Sequence, residues 1–125
     1  MLFRSRDLAN DGYGAAGELF RRKRWRSCVS RAYYAAYAAV TDALVRGNIT
    51  MPAAHANPTH AALPNMIENN LMHIAARWRL SGIVRKLYRL RIMADYDPRK
   101  DVERSEARIA MGLMTDAFQS LKGVG

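Results

Sequence analysis

The sequence predicts an all-α protein, an up-and-down bundle of four to five helices. Apolar residues recur at helical spacing along most of the chain, and no segment shows the apolar–polar alternation of a half-buried strand. The strongest pattern belongs to a segment whose large side chains share one face: Trp25, Val29, Tyr33, Tyr37, Val40 and Leu44. Small residues line the adjacent face: Ala32, Ala36, Ala39 and Ala43. Because small side chains let a neighbouring helix approach closely, we expect this helix to form the centre of the core.

The first two helices are expected to be joined by a basic turn. The first is predicted over residues 6–20 and contains Gly12, Gly14 and Gly17. Each glycine lowers helix stability by up to about 1 kcal/mol relative to alanine, so this helix should depend on packing. Residues 21–24 form the turn, and the second helix is expected to end at Gly47, because glycine is favoured just beyond a helix C-terminus.

The second half of the chain is predicted to contain a long loop and further helices. Prolines among small and polar residues indicate a surface loop over residues 48–64. A third helix is expected over residues 65–78, with Ser81-Gly82 as a candidate interruption before a fourth helix, which starts near Ile83. The last helix is predicted over residues 101–122.

Two alternatives are open at the boundary between the last two helices. Proline disfavours helical geometry in the preceding residue, so the fourth helix should end before Asp97-Pro98. Pro98 also suits the first turn of the last helix, with Asp97 as its N-cap.

The composition favours one globular domain over residues 1–125. Twenty lysines and arginines against eleven acidic residues give a net charge of +9, which favours a polyanionic partner. Cys28 is the only cysteine, which excludes an intramolecular disulfide and fits a reducing compartment. No apolar stretch is long enough for a signal peptide or a membrane span, so we expect a cytoplasmic protein without a membrane partner.

The sequence lacks the motifs of several common catalytic sites. Its histidines, His55, His60 and His73, form no Glu-x-x-His or His-Glu-x-x-His spacing, so we expect neither a metal nor another cofactor. It also contains no Gly-x-Ser-x-Gly elbow and no glycine-rich phosphate loop.

The basic turn is the first candidate site. Five of the six residues after Phe20 are cationic, with Trp25 among them. Such a segment could bind a phosphate backbone and stack a base, which makes its first four residues candidates for nucleic-acid binding: Arg21, Arg22, Lys23 and Arg24. A turn between two helices is also charged simply because it is solvated, and the sequence leaves both interpretations open.

Arg91, Asp95 and Tyr96 form the second candidate site. Arg91 and Asp95 are four residues apart on a predicted helix, so their side chains can meet, and Tyr96 follows at the helix end. One interpretation is a structural ion pair with a packed tyrosine. In the other, the planar guanidinium of Arg91 binds a phosphate while Asp95 or Tyr96 moves a proton.

Two segments resemble a known family. They are SRAYYAAY at residues 30–37 and LRIMADYD at residues 90–97, separated by a glycine-terminated helix and a loop with Thr59-His60. Together they resemble the HEPN superfamily, the higher eukaryote and prokaryote nucleotide-binding domains, and in particular its small stand-alone bacterial branch with an R..ADY signature. The likeness covers about residues 8–121. It implies a helical bundle, usually a homodimer, often encoded beside a nucleotidyltransferase as a toxin–antitoxin pair.

The resemblance also bears on catalysis. Active HEPN ribonucleases are metal-independent and carry an arginine followed, after four to six residues, by a histidine. Arg91 matches the arginine, but Asp95 and Tyr96 occupy the place of the histidine, and no histidine follows Arg91 in the chain. A carboxylate repels phosphate, whereas a histidine near its pKa can act as acid or base, so we expect any RNA cleavage to be weak. His60 is a histidine that the fold could bring to the site.

The residues and the resemblance together predict a HEPN-like protein of a bacterial toxin–antitoxin or defence system. We expect it to bind RNA or a nucleotide through Arg91 and the basic turn, and leave metal-independent endoribonuclease activity open. Large side chains in excess of what one small core absorbs support a homodimer: Trp25, Tyr34, Trp78 and Tyr88. The alternative is a non-catalytic interaction protein whose helical face docks onto a partner nucleotidyltransferase.

Overall fold

Within residues 2–46, 60–70 and 74–122, which the computed structural model describes, the chain forms five α-helices and no strand. The helices are α1 (Leu2–Arg21), α2 (Trp25–Arg46), α3 (Leu63–Asn70), α4 (Ile74–Tyr96) and α5 (Arg104–Lys122). The prediction of an all-α bundle is confirmed. None of these helices combines the length and the hydropathy needed to cross a membrane.

Helix α2 is the centre of the bundle, as its alanine face predicts. It contacts each of the other four helices. Ala32, Ala36 and Ala39 are buried with the ring of Tyr33, which is only 1% exposed, whereas Ala43 is partly buried. Burial of an aromatic or a large aliphatic side chain contributes about 1.5–3 kcal/mol, so this helix accounts for much of the hydrophobic stabilisation.

The glycines of α1 have different surroundings. A Cβ on Gly12 would lie 3.0 Å from the Cβ and 3.2 Å from the Cα of Ala35, whereas a Cβ on Gly14 would meet nothing within 4 Å. Gly12 is therefore the point at which the backbones of α1 and α2 approach closely. The lack of a side chain at Gly12 allows this close packing. Gly14 has no such packing role and only lowers the stability of the helix.

A three-residue turn joins α1 to α2. Lys23 has a φ of 60°, in the left-handed region, and its amide donates to the carbonyl of Phe20 at 3.1 Å. Such a residue is a common helix terminator, although glycine is the usual choice. Across the turn the rings of Phe20 and Trp25 pack edge to face, 5.3 Å apart.

The predicted interruption at Ser81-Gly82 is wrong. Both residues lie inside α4, which begins at Ile74, whereas α3 ends at Asn70. The buried Ser81 hydroxyl donates to the carboxylate of Glu68, which also forms an ion pair with Arg85 at 3.2 Å. A serine in this position ties α4 to α3 instead of ending the helix.

The predicted loop over residues 48–64 lies mostly outside the described residues, as does Gly47. The last two residues of the predicted loop belong to α3.

The boundary between α4 and α5 excludes one of the two alternatives for Pro98, its place in the first turn of the last helix. Pro98 lies outside α5, and the Asp97 carboxylate accepts a hydrogen bond from the backbone amide of Arg99 at 3.1 Å. At the start of α5, the Glu106 carboxylate instead accepts from the amide of Glu103 at 2.8 Å, which satisfies a free helix N–H.

Candidate functional site

The guanidinium of Arg91 lies between α4 and α2. Its Nε donates to Asp95 Oδ2 at 3.0 Å, and its Nη2 donates to the hydroxyls of Tyr34 at 2.6 Å and Tyr96 at 3.3 Å. The Arg91 side chain is only 11% exposed. The structure therefore brings together the three predicted residues of the second candidate site and adds Tyr34.

Aromatic rings surround the same guanidinium. Its central carbon lies 5.1 Å from the ring centre of Tyr34, 5.3 Å from that of Tyr96 and 6.0 Å from that of Tyr33, distances at which a cation is attracted to a ring face. Burial lowers the pKa of Arg91, but attraction to Tyr34, Tyr96 and Asp95 outweighs it and leaves the pKa above its ordinary value. The cation is thus permanent and fixed in position.

Asp95 links Arg91 to the first of the two sequence segments. Its Oδ2 accepts from Arg91 and also from the hydroxyl of Ser30, at 3.3 Å. The segments at residues 30–37 and 90–97 therefore meet at this carboxylate. Because Asp95 is held by both neighbours, its geometry suits orientation of the guanidinium.

The fold brings His60 into the same aromatic cluster. Its Nδ1 shares a hydrogen bond with the hydroxyl of the buried Tyr33. The imidazole lies 5.1 Å from the ring of Tyr37 and 5.9 Å from that of Tyr34, and stacks on Tyr88 at 5.8 Å with an interplanar angle of 25°. Burial, and to a lesser degree the charge of Arg91, lower the pKa of His60, which favours the neutral imidazole.

The basic turn is exposed, and half of it is paired locally. Arg21 and Arg22 form ion pairs with Glu18 at 2.7 and 3.0 Å, and hydrogen bonds from both arginines lower the pKa of that carboxylate. Lys23 and Arg24 are exposed and form no ion pair with any described residue. These two retain the most uncompensated positive charge.

Arg26, the last cation of the basic segment, turns inward. Its Nη1 donates to the carbonyl of Ala94 at 2.8 Å and to those of Met93 and Asp97 at 3.4 Å, and its Nη2 donates to the carbonyl of Lys100. Carbonyls at a helix C-terminus lack intrahelical partners and carry partial negative charge, so a cation is favourable there. Arg26 thereby fixes the last turn of α4, which carries two of the site residues.

The spacing of polar residues in the sequence could have indicated which residues of α2 contact the site on α4. Arg26, Ser30 and Tyr34 are four residues apart and so lie on one face of α2. All three contact the C-terminal half of α4. A polar stripe beside an apolar core face indicates a polar partner helix. For His60 no comparable signal exists, because its position depends on the connection between α2 and α3.

Among the residues that the structure describes, no group of three or more histidine, cysteine or acidic side chains could hold a metal ion. The groups that the structure places around Arg91 are a carboxylate, phenol hydroxyls and, in the same aromatic cluster, an imidazole.

The helical bundle agrees with a family comparison. The model of the HEPN domain matches residues 5–123, almost the whole sequence, and the chain belongs to this family. HEPN domains generally bind nucleotides or act as ribonucleases. A search of curated proteins gave no match.

Proposed function

We propose that this protein binds RNA or a nucleotide at Arg91 and cleaves RNA without a metal ion, with His60 as the proton-transfer group. The observation that supports the proposal most is the arrangement around Tyr34. Its hydroxyl is 2.6 Å from Arg91 Nη2, and its ring centre is 5.9 Å from the imidazole of His60. A fixed cation and a titratable base thus share one aromatic cluster, which supplies the histidine that is missing after Arg91.

Arg91 is suited to a phosphate because only part of its guanidinium is used within the protein. Nε is occupied by Asp95 and Nη2 by the two tyrosines, and Nη1 takes part in none of these bonds. An arginine orients a phosphate best when its own geometry is fixed beforehand. Asp95 supplies that orientation in the proposal, and its charge is offset by Arg91.

His60 would act on the ribose. In metal-independent cleavage the 2′-oxygen attacks the phosphorus, the bond to the 5′-oxygen breaks, and a base removes the proton of the 2′-hydroxyl. A lowered pKa keeps His60 in the neutral form that accepts a proton at pH 7. In this proposal Nδ1–H donates to the Tyr33 hydroxyl, so Nε2 carries the lone pair that would take the proton. Tyr96, which is 66% exposed and bonded to Arg91, is the candidate donor of a proton to the leaving 5′-oxygen.

The basic turn would extend the binding surface. Arg26 bonds to residues 94, 97 and 100, so the turn formed by Arg21, Arg22, Lys23 and Arg24 lies at the same end of the bundle as the C-terminus of α4. A chain of phosphates that passes Arg91 could therefore continue onto these cations.

A cleavage assay with labelled RNA in excess EDTA tests the proposal. His60→Asn should keep RNA affinity and lose cleavage, while Arg91→Lys should lose both, because an ammonium cannot bind Asp95, the tyrosines and a phosphate together. Arg108→Lys makes the same exchange at an exposed residue of α5 that forms no ion pair with a described residue, and should behave as the wild type. If His60→Asn cleaves RNA as fast as the wild type, the imidazole is not the proton-transfer group. If Arg91→Lys binds RNA as tightly as the wild type, Arg91 is not the phosphate-binding residue.

The resemblance to the small stand-alone bacterial HEPN proteins supports a proposal for the biological setting. We propose a role in a bacterial toxin–antitoxin or defence system, with a homodimer as the active form and a nucleotidyltransferase as the candidate partner. Tyr34 and Trp78, 38% and 60% exposed, offer surface for an assembly, whereas Trp25 and Tyr88 are partly buried in the protomer. Light scattering should give about twice the chain mass. Growth arrest on expression, relieved by a neighbouring nucleotidyltransferase gene, would support the pair.

A further inference from the structure

A groove between α1 and α2 adjoins the Arg91 site. Its volume is about 440 Å³, within the range of about 300–1,000 Å³ found for small-molecule sites. Tyr34 is the wall that the two share: it lines the groove, and its hydroxyl accepts the hydrogen bond from Arg91. A ligand with its phosphate at Arg91 could therefore place its remaining atoms here.

One polar group in this groove lacks a partner. Thr41 lines the groove and is 1% exposed, and its Oγ1 has no hydrogen-bond partner among the described residues. A buried hydroxyl without a partner is unusual, because leaving it unsatisfied costs about 1–3 kcal/mol. Its position indicates a ligand that supplies the missing hydrogen bond.

Two opposite charges line the same groove without pairing. Asp11 extends from α1 and Arg31 from α2, and neither forms an ion pair with the other or with any other described residue. Gly12, Ala35 and Ala38 also line the groove, and none of them has a side chain large enough to fill it. The groove thus offers an acceptor, a donor and an aromatic wall around an open space.

We propose that this groove binds the base of the nucleotide held at Arg91, and that the base is guanine. Guanine presents adjacent N–H donors, N1 and N2, to a carboxylate such as Asp11, and adjacent acceptors, O6 and N7, to a guanidinium such as Arg31. Adenine reverses this pattern, because its N1 is an acceptor and its N6 a donor. Uracil has a single N–H between two carbonyls. This inference rests on the proposed function, since it places the phosphate at Arg91.

Isothermal titration of the whole chain with GMP, AMP, CMP and UMP tests the inference. GMP should bind at least about tenfold more tightly than AMP. Asp11→Asn should remove that preference, because an amide can bind either purine. Thr41→Val, which keeps the side-chain shape, should weaken GMP binding. Asp7→Asn is the matched control: it removes the same charge at an exposed residue of α1 outside the groove, and should retain the preference.

The variants separate failure of this inference from failure of the proposed function. If Arg91→Lys lowers the affinity for all four nucleotides but the wild type shows no preference for GMP, the phosphate site at Arg91 is supported and the guanine subsite is refuted. If no nucleotide binds at millimolar concentration, the guanine subsite is refuted, and the cleavage assay with labelled RNA decides the proposed function separately. The groove could instead contact a second copy, with Asp11 of one protomer against Arg31 of the other. Loss of a dimer in Asp11→Asn with unchanged nucleotide affinities would establish that contact and overturn the subsite.

Discussion

At the scale of single residues, the site depends on side chains that hold each other in position. Arg91 is fixed by Asp95, Tyr34 and Tyr96, and Asp95 is fixed in turn by Ser30. The sequence predicts the Arg91–Asp95 pair because four-residue spacing on a helix is a local property. Tyr34 and His60 come from other parts of the chain, and their approach to Arg91 depends on how the helices pack, which periodicity does not encode.

The lowered pKa of His60 makes a prediction about stability. Between the folded pKa and the ordinary value of about 6.5, the unfolded chain binds more protons than the folded one, so acid favours unfolding. The contribution of neutral His60 to the free energy of unfolding should be complete above about pH 6.5. It should be lost as the pH falls through the pKa that His60 has in the folded protein. Thermal melts from pH 7.5 to 5 should show a declining midpoint.

The variant His60→Gln isolates this contribution, because Glu18 and Glu106, whose pKa values are lowered, titrate in a more acidic range. Its melting temperature should vary less between pH 7.5 and 5 than that of the wild type. An equal decline in both proteins would assign the acid sensitivity to other groups.

At the scale of helices, two of the three glycines of α1, Gly12 and Gly14, should respond to substitution in opposite directions. Gly12→Ala places a Cβ 3.0 Å from Ala35 and must force α1 and α2 apart, which should lower stability by about 1–3 kcal/mol. Gly14→Ala meets nothing and should raise it by up to about 1 kcal/mol through helix propensity. Urea unfolding of both variants measures the difference. Equal effects would mean that the helices do not cross at Gly12.

The bonds from Arg26 to the end of α4 give a second prediction at this scale. Arg26→Gln cannot reach the same set of carbonyls and should lower the free energy of unfolding by about 2 kcal/mol, in the range for hydrogen bonds of charged groups. Arg24→Gln, at an exposed position without an ion pair to a described residue, should change it by less than about 0.5 kcal/mol. Similar losses in the two variants would contradict a specific role for Arg26.

The helices also show how far local patterns extend. The apolar periodicity of α2 correctly predicts its central place, because a helix with a small, apolar face must bury it. The prediction of an interruption at Ser81-Gly82 is wrong, although a polar residue beside a glycine is typical of the end of a helix. Ser81 is instead buried inside α4 and donates to Glu68 on α3, a contact between helices that helix propensity does not include.

At the scale of the whole molecule, the net charge of +9 should make RNA binding dependent on salt. Lys23 and Arg24 have no ion pair with a described residue, whereas Arg21 and Arg22 are paired with Glu18. We therefore expect the double variant Lys23→Gln/Arg24→Gln to reduce the slope of log affinity against log salt more than Arg21→Gln/Arg22→Gln does. Fluorescence anisotropy at several salt concentrations measures both slopes. If both double variants show the same salt dependence of RNA affinity as the wild type, the turn is a solvated surface that does not contact RNA.

Cys28 gives this bundle a built-in reporter of its own opening. The thiol is fully buried in α2, and burial raises its pKa to about 11, so the native protein should scarcely react with an alkylating reagent. Because α2 contacts each of the other described helices, a reagent reaches this sulfur only after the helices packed around it separate. The rate at which the single cysteine is alkylated therefore measures how often the core around α2 opens under native conditions, without any introduced label.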